Sequence, residues 1–252
     1  EEAADFKKVM ADIRSHFGRN CTVMMIPIQK NHEYLGYIDV INRQAYLYDE
    51  NGERREAEVP EAYKEDMELQ YASLMEQVAE SDDELMEKYF EDEPLTDEEI
   101  AQGIYNRMSG GHMIPVWTGS ALELKGIRFM MNRIVDRMPS AADHRPVNAV
   151  MHDGSALSLS ADPDGPLAAF VFKTLADPFV GKISLFRIYS GTLQANQTVW
   201  NENKEEEERI GGLSVVQGKK QIPQDSISAG DIGALTKLNV TLTGDTLSSK
   251  EK

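Results

Sequence analysis

The stretch from Phe170 to Leu193, FVFKTLADPFVGKISLFRIYSGTL, constrains this chain most. Phe170, Phe172 and Thr174 alternate as in a half-buried β-strand, Asp177-Pro178 turns the chain, and Val180 to Tyr189 alternates again before the Ser190-Gly191 turn. Two strands joined this way open a small β-barrel. Further strand candidates follow at 197–201, 207–216, 226–228, 232–238 and 245–248, with the first at 167–174, all divided by Gly-, Asn- and Asp-containing turns. Closing them into a barrel removes exposed sheet edges. The charge run Glu205 to Glu208 falls on a hairpin and reads as a solvated tip.

The first half has a different grammar. Phe6, Val9, Met10, Ile13 and Phe17 fall at helical spacing before Gly18, which predicts an amphipathic helix with one buried stripe. Thr22 to Ile28 reads as one buried strand, and Tyr34 to Val40 and Gln44 to Tyr48 as two more around Asn42-Arg43. Pro60 suits the first turn of a long helix reaching about Glu80. Ser81 with Glu84, and Thr96 with Glu99, match the capping-box pattern and predict two further helices separated by Pro94. Met113 to Thr118 then reads as a short strand, Gly119-Ser120-Ala121 as a turn, and Ile127 to Met138 as a last helix stopped by Pro139. From Ser140 to Pro166 the composition shifts to Ala, Asp, Ser, Gly and Pro, which reads as a linker with a short ordered piece at 147–151.

The net charge of -17 is unevenly placed. Residues 1–110 carry 27 acidic against 11 basic side chains, and residues 111–252 carry 16 against 15. A phosphate backbone would repel the first region, so any nucleic-acid contact belongs to the second. Cys21 is the single cysteine, which rules out an internal disulfide and fits a reducing cytoplasm. No apolar run approaches the roughly 20 residues of a membrane span, and the acidic start does not read as a signal peptide.

The catalytic motifs are notable for what is missing. The chain has no Gly-x-x-x-x-Gly-Lys-Ser/Thr phosphate loop to wrap backbone N–H groups around a nucleotide, and no Asn-Lys-x-Asp to read guanine. His16, His32, His112, His144 and His152 show no metal-binding spacing, and the serines lack a nucleophile elbow. The sequence therefore names no catalytic residue and no metal ligand.

Several stretches nevertheless resemble elongation factor G and its relatives among the translational GTPases. Ala4-Asp5-Phe6 resembles the residues just after that family's guanine-reading Asn-Lys-x-Asp. MMIPI (24–28), LGYIDVINRQAYLYD (35–49), ELMEKYFE (84–91) and LTDEEI (95–100) resemble the subdomain inserted into its GTPase domain. IPVWTGSALELKGI (114–127) is similar to the last strand, the final guanine-contacting loop and the last helix of that domain. DPFVGKISLFRIYSGTL (177–193), AGDIGAL (229–235) and TGDTL (243–247) match the second domain in order. RIGGLSVVQGKKQIP (209–223) departs from the usual wording and is closer to elongation-factor-G-like paralogues.

The resemblance implies an α/β remnant of a GTPase domain with an inserted α+β subdomain, followed by an all-β translation-factor barrel. Its expected boundaries are 1–140 (insert at about 21–110), a linker at 141–165 and the barrel at 166–252. Gly119, Ser120 and Ala121 would form part of a guanine site, and Lys182, Arg187, Lys219 and Lys220 are candidate ribosomal RNA contacts by charge. The intact parent would use GTP and magnesium, meet ribosomal RNA through the barrel and the stalk protein through the insert, and work in the cytoplasm. This chain, read as a central fragment, would be inactive alone. An open sheet edge at Met113 to Thr118 is expected to favour self-association. The alternative is a non-catalytic scaffold module built on the barrel.

Overall fold

The computed structural model describes residues 4–31, 33–151, 153–178 and 181–249. It contains two compact units, Glu1–Pro139 and Ser140–Lys252. In the first, the elements are α1 (Phe6–Phe17), β1 (Cys21–Val23), β2 (Met25–Lys30), β3 (Glu33–Asp39), β4 (Gln44–Tyr48), β5 (Arg54–Ala57), α2 (Glu61–Ala79), α3 (Asp83–Phe90), α4 (Asp97–Ser109), β6 (Ile114–Val116) and α5 (Ile127–Arg137).

Local chemistry sets the helix ends. The Asp5 carboxylate accepts the Lys8 N–H at 3.1 Å to open α1, and Gly18 donates its N–H to the Arg14 carbonyl where the helix stops. The buried stripe expected on α1 is narrower than its spacing suggests. Met10 is buried, whereas Val9 and Phe17 stay exposed. Thr96 and Glu99 form the expected capping box on α4, with reciprocal hydrogen bonds of 3.2 and 2.8 Å. The box expected from Ser81 and Glu84 does not form. Asp82 caps α3 instead, accepting the Glu84 N–H at 2.9 Å, and the Ser81 hydroxyl is buried without a partner. A carboxylate one residue nearer the helix is the stronger acceptor for its exposed N–H groups.

The run 22–28 is two strands, not one. β1 pairs in parallel with β6, in register Cys21 to Ile114, while β2 joins the antiparallel sheet β2-β3-β4-β5. Met24 is the pivot, donating to the Val116 carbonyl at 2.9 Å and accepting from the Val40 N–H at 3.1 Å. β5 follows the Asp49–Gly52 loop, where the sequence pattern predicts no strand. Alternation on β2 and β3 then buries both faces of this sheet. Ile26 and Ile38 pack with Leu74, Val78 and Ile104 of α2 and α4, whereas Met25 and Tyr37 pack with Phe129 of α5.

The second unit begins with a 3-10 turn, Ala141–Asp143, and a hairpin of β7 (Val147–Val150) and β8 (Ala156–Leu159), so the stretch read as a linker carries regular structure. β9 (Ala168–Asp177), β10 (Gly181–Ser190), β11 (Thr192–Gln194), β12 (Thr198–Asn201), β13 (Glu206–Arg209), β14 (Leu213–Gln217), β15 (Lys220–Gln224), β16 (Ser226–Ser228), β17 (Ile232–Thr236) and β18 (Thr246–Ser248) follow. They form one eight-stranded sheet in the order β13-β12-β18-β9-β10-β17-β14-β15, with β11 and β16 as a separate pair. Side chains from both sheets share a single barrel-like core, including Phe186, Ile188, Leu193, Ile227 and Leu247. Pro223 sits on β15, the last strand in that order, where a missing N–H does least harm.

Three expectations change here. The inward face of β9 is Ala169 and Val171, and Phe172 is 40% exposed. Val171 pairs with Phe186 and Ala169 with Ile188, so small residues on β9 accommodate large ones on β10. The candidate 207–216 is two strands, β13 and β14, broken at Gly211-Gly212. The Glu205–Glu208 run is not simply a solvated tip. Glu208 is 1% exposed, and its carboxylate accepts the N–H groups of Asn239, Val240 and Thr241 at 2.8 to 3.1 Å.

Candidate functional site

In the first unit the Gly119-Ser120-Ala121 loop lies between β6 and α5 and closes on itself. The Ser120 N–H donates to the Lys125 carbonyl at 2.9 Å, and the Ser120 hydroxyl accepts the Glu123 N–H at 3.3 Å. Two tyrosines of the antiparallel sheet hold the far side. Tyr48 accepts the Gly126 N–H at 2.7 Å, and Tyr34 lies 3.5 Å from the Thr118 carbonyl. Burial pushes the Tyr34 phenol well above its ordinary range and Tyr37 up to about 12, so both stay neutral at physiological pH. Gly126 must be glycine. Its φ is +79°, and a Cβ there would lie 2.7 Å from the Thr118 oxygen.

This geometry separates the three candidates. The N–H of Ser120 is already used inside the loop. That of Ala121, on an exposed residue, makes no backbone hydrogen bond among the described residues. Gly119 contributes close approach: a Cβ there would meet the Lys125 carbonyl at 2.8 Å.

A buried ion pair ties α5 to the antiparallel sheet. Arg133 donates to Asp39 at 3.1 Å, and the same carboxylate accepts from the Ile41 N–H and the Asn42 amide. The guanidinium also lies 4.7 Å from the centre of the Phe129 ring. The helix after the loop is therefore positioned by a residue the sequence reading did not single out. An Arg one helical turn after Phe129 in the helix 127–137 was the available signal.

In the second unit the four cations do not form one cluster. Lys182 is exposed near the start of β10, and Arg187 lies five residues on, about 17 Å along an extended strand. Lys219 and Lys220 are exposed at the β14–β15 turn. Arg187 is half-buried on the outer side of β10, opposite Ile232, with its guanidinium 5.5 Å from the Tyr189 ring. A cavity of about 260 Å³ opens beside it, lined also by His144 and Arg145 from the stretch read as a linker. The adjacent basic pair in an otherwise weakly charged stretch was the only sequence signal for it. His32 and His152 lie outside the described residues. Among the described residues no three His, Cys, Asp or Glu side chains are placed to hold a metal, and no helix is long and apolar enough to cross a membrane.

Residues 166–250 match the family model for elongation factor G domain 2. Across 98% of its length the chain is 37% identical to elongation factor G 2 of Desulfotalea psychrophila. The chain is elongation factor G-like. The fold agrees: a crystal structure from Thermus thermophilus superposes over 99% of the chain with a TM-score of 0.79 at 28% identity. This elongation factor G-like chain spans about a third of the length of those two relatives, 36% of the first and 35% of the second.

Proposed function

We propose that this chain is the central part of a ribosome-associated translational GTPase, whose intact parent binds GTP with magnesium and couples hydrolysis to a ribosomal step such as translocation. The observation that carries this is the 37% identity to an elongation factor G across 98% of the chain. Residues 1–140 then complete the GTPase domain, with 21–110 as its insert, 141–165 connect, and 166–252 form the second domain. In the guanine site, the unspent N–H of Ala121 would donate to the base carbonyl. Gly119 and Ser120 would shape the loop, Ser120 by holding it closed through Lys125. This meets the base carbonyl only, since the chain has no Asn-Lys-x-Asp to read the rest of the guanine and no phosphate loop for the phosphates.

The acidic insert suits a protein contact such as the ribosomal stalk, and the near-neutral barrel suits RNA, with Lys182, Arg187, Lys219 and Lys220 answering phosphates. Such a protein would act in the cytoplasm. β6 has a parallel neighbour in β1, which the sequence reading did not foresee. Its other edge has no strand among the described residues, and self-association would run along that edge. No observation favours the scaffold reading.

The test is GTP hydrolysis by the full-length parent with and without ribosomes. Strong stimulation by ribosomes is expected, and hydrolysis indifferent to them sinks the reading. The chain by itself should show no hydrolysis and negligible GTP affinity; a micromolar dissociation constant would overturn that part.

A further inference from the structure

The cavity beside Arg187 has an electrostatic character at odds with the rest of this chain. The protein carries a net charge of -17, yet the cavity lining includes His144, Arg145 and Arg187 and no carboxylate. Neither arginine has an ion pair or a hydrogen bond among the described residues, and the Nε of Arg187 is shielded from solvent without an acceptor. The nearest acid in sequence, Asp143, does not line the cavity; its carboxylate accepts from the Ser140 N–H at 2.8 Å and the Ser140 hydroxyl at 2.7 Å. A shielded guanidinium nitrogen without an acceptor lacks a hydrogen-bond partner, and beside a second unpaired guanidinium an oxyanion is the acceptor that best suits it.

The fold also holds the two sides of the cavity together. Gly230 has a φ of +94°, and a Cβ built there would come within 2.7 Å of the Ala141 side chain. The 3-10 turn that precedes His144 and Arg145 therefore sits hard against the barrel at a position where only glycine leaves room. The arginines come from different elements, one from the segment after that turn and one from the middle of β10. Planar guanidinium forks match the paired oxygens of a phosphate. Tyr189 supplies an aromatic wall beside Arg187.

We propose that this cavity is a phosphate-binding site in which Arg145 and Arg187 hold the oxyanion and His144 lies beside them. The site shares Arg187 with the RNA contact proposed above but does not depend on that reading. The phosphate belongs either to a small phosphate monoester or to the phosphodiester backbone of RNA.

The experiment is a titration of the ¹⁵N-labelled chain with inorganic phosphate at constant ionic strength, following the arginine Nε–H resonances. Saturable shifts of the Arg145 and Arg187 signals are expected. Arg145→Gln, at an exposed position where folding is not at risk, should weaken binding about tenfold, the equivalent of about 1.4 kcal/mol. Lys204→Gln, at an exposed cation outside the cavity to which no binding role is assigned, should leave it unchanged. Absence of a saturable shift, or an unchanged response in Arg145→Gln, overturns the proposal. A second arm adds a short RNA without terminal phosphates. Displacement of bound phosphate assigns the site to the phosphodiester. Failure to displace it assigns the site to monoesters and leaves the ribosome reading to stand or fall on hydrolysis alone.

Discussion

Among the described residues, the most deeply buried carboxylate of each unit is stabilised in a different way. Asp39 in the first unit and Glu208 in the second are both 1% exposed. Asp39 meets a guanidinium carried by a helix far along the chain, with one backbone N–H and one amide completing its shell. Glu208 meets no cation among the described residues, only three successive backbone N–H groups at 239–241. An α/β unit has helices on hand that can bring a long cationic side chain to the end of an inner strand. A barrel of short strands has loops instead, and a loop that turns its N–H groups inward makes an anion nest from peptide dipoles. The first arrangement pins a helix, and the second pins a loop.

The largest effect expected from this contrast is at Glu208. In Glu208→Ala three N–H groups, one buried and two part-buried, lose hydrogen bonds to a charged acceptor worth about 1.5–3 kcal/mol each, so the second unit should lose about 3 kcal/mol or more. Glu208→Gln keeps an acceptor oxygen and should lose clearly less. Urea unfolding followed by Trp200 emission, with Trp117 replaced by Phe, measures this unit by itself. Equal losses in the two variants would mean that shape rather than hydrogen bonding holds the loop.

Asp39 should be more forgiving because its shell is mixed. Arg133→Met strands a buried carboxylate but leaves two hydrogen bonds, for an expected loss of about 3 kcal/mol or less in the first unit. Pairing it with Asp39→Asn should recover part of that, giving a coupling energy of about 1 kcal/mol or more in a double-mutant cycle read from Trp117. Strict additivity would show that the pair contributes nothing as a pair.

The smallest effect expected is at the surface pair Lys88–Glu99, which contrasts with both buried acids. The hydrogen bond from Lys88 holds the Glu99 carboxyl below its ordinary range, helped by the Thr96 N–H, and Glu99 raises the Lys88 ammonium in return. A depressed carboxylate contributes stability above its ordinary pKa and loses it as pH falls through the folded value. A raised lysine contributes below its ordinary pKa and loses it as pH rises through the folded value. The pair therefore works across the neutral window. Lys88→Met should lower Tm slightly at neutral pH, with the deficit vanishing in acid below the carboxylate range. A deficit that persists in acid would point to lost packing of the lysine stem.

The same contrast separates what was legible from what was not. The Thr96–Glu99 box and the Gly18 stop could be read directly, because each closes hydrogen bonds within three or four residues. Ser81 misled because two potential caps, Ser81 and Asp82, stand side by side, and the pattern alone does not rank them. The alternation at Phe170 and Phe172 correctly marked a strand but pointed the wrong side inward. Both faces of β9 carry apolar residues, and pairing with β10 decided in favour of Ala169 and Val171. The Gly-Ser-Ala loop was legible as a motif. That its Ser120 N–H is spent on Lys125 was not.

The sequence by itself determined the similarity to elongation factor G, the order of the helices α1 to α5 and most of their ends. These depend on wording along the chain or on contacts a few residues apart. Only the tertiary structure decided where Glu208 goes, since the N–H groups it accepts lie 31 to 33 residues away. It also decided that Asp39 meets Arg133, 94 residues on, and that Arg145 and Arg187 share a cavity. Side chains that charge patterning treats as solvated are placed by whatever backbone the fold sets against them. That backbone comes from segments whose proximity no local pattern records.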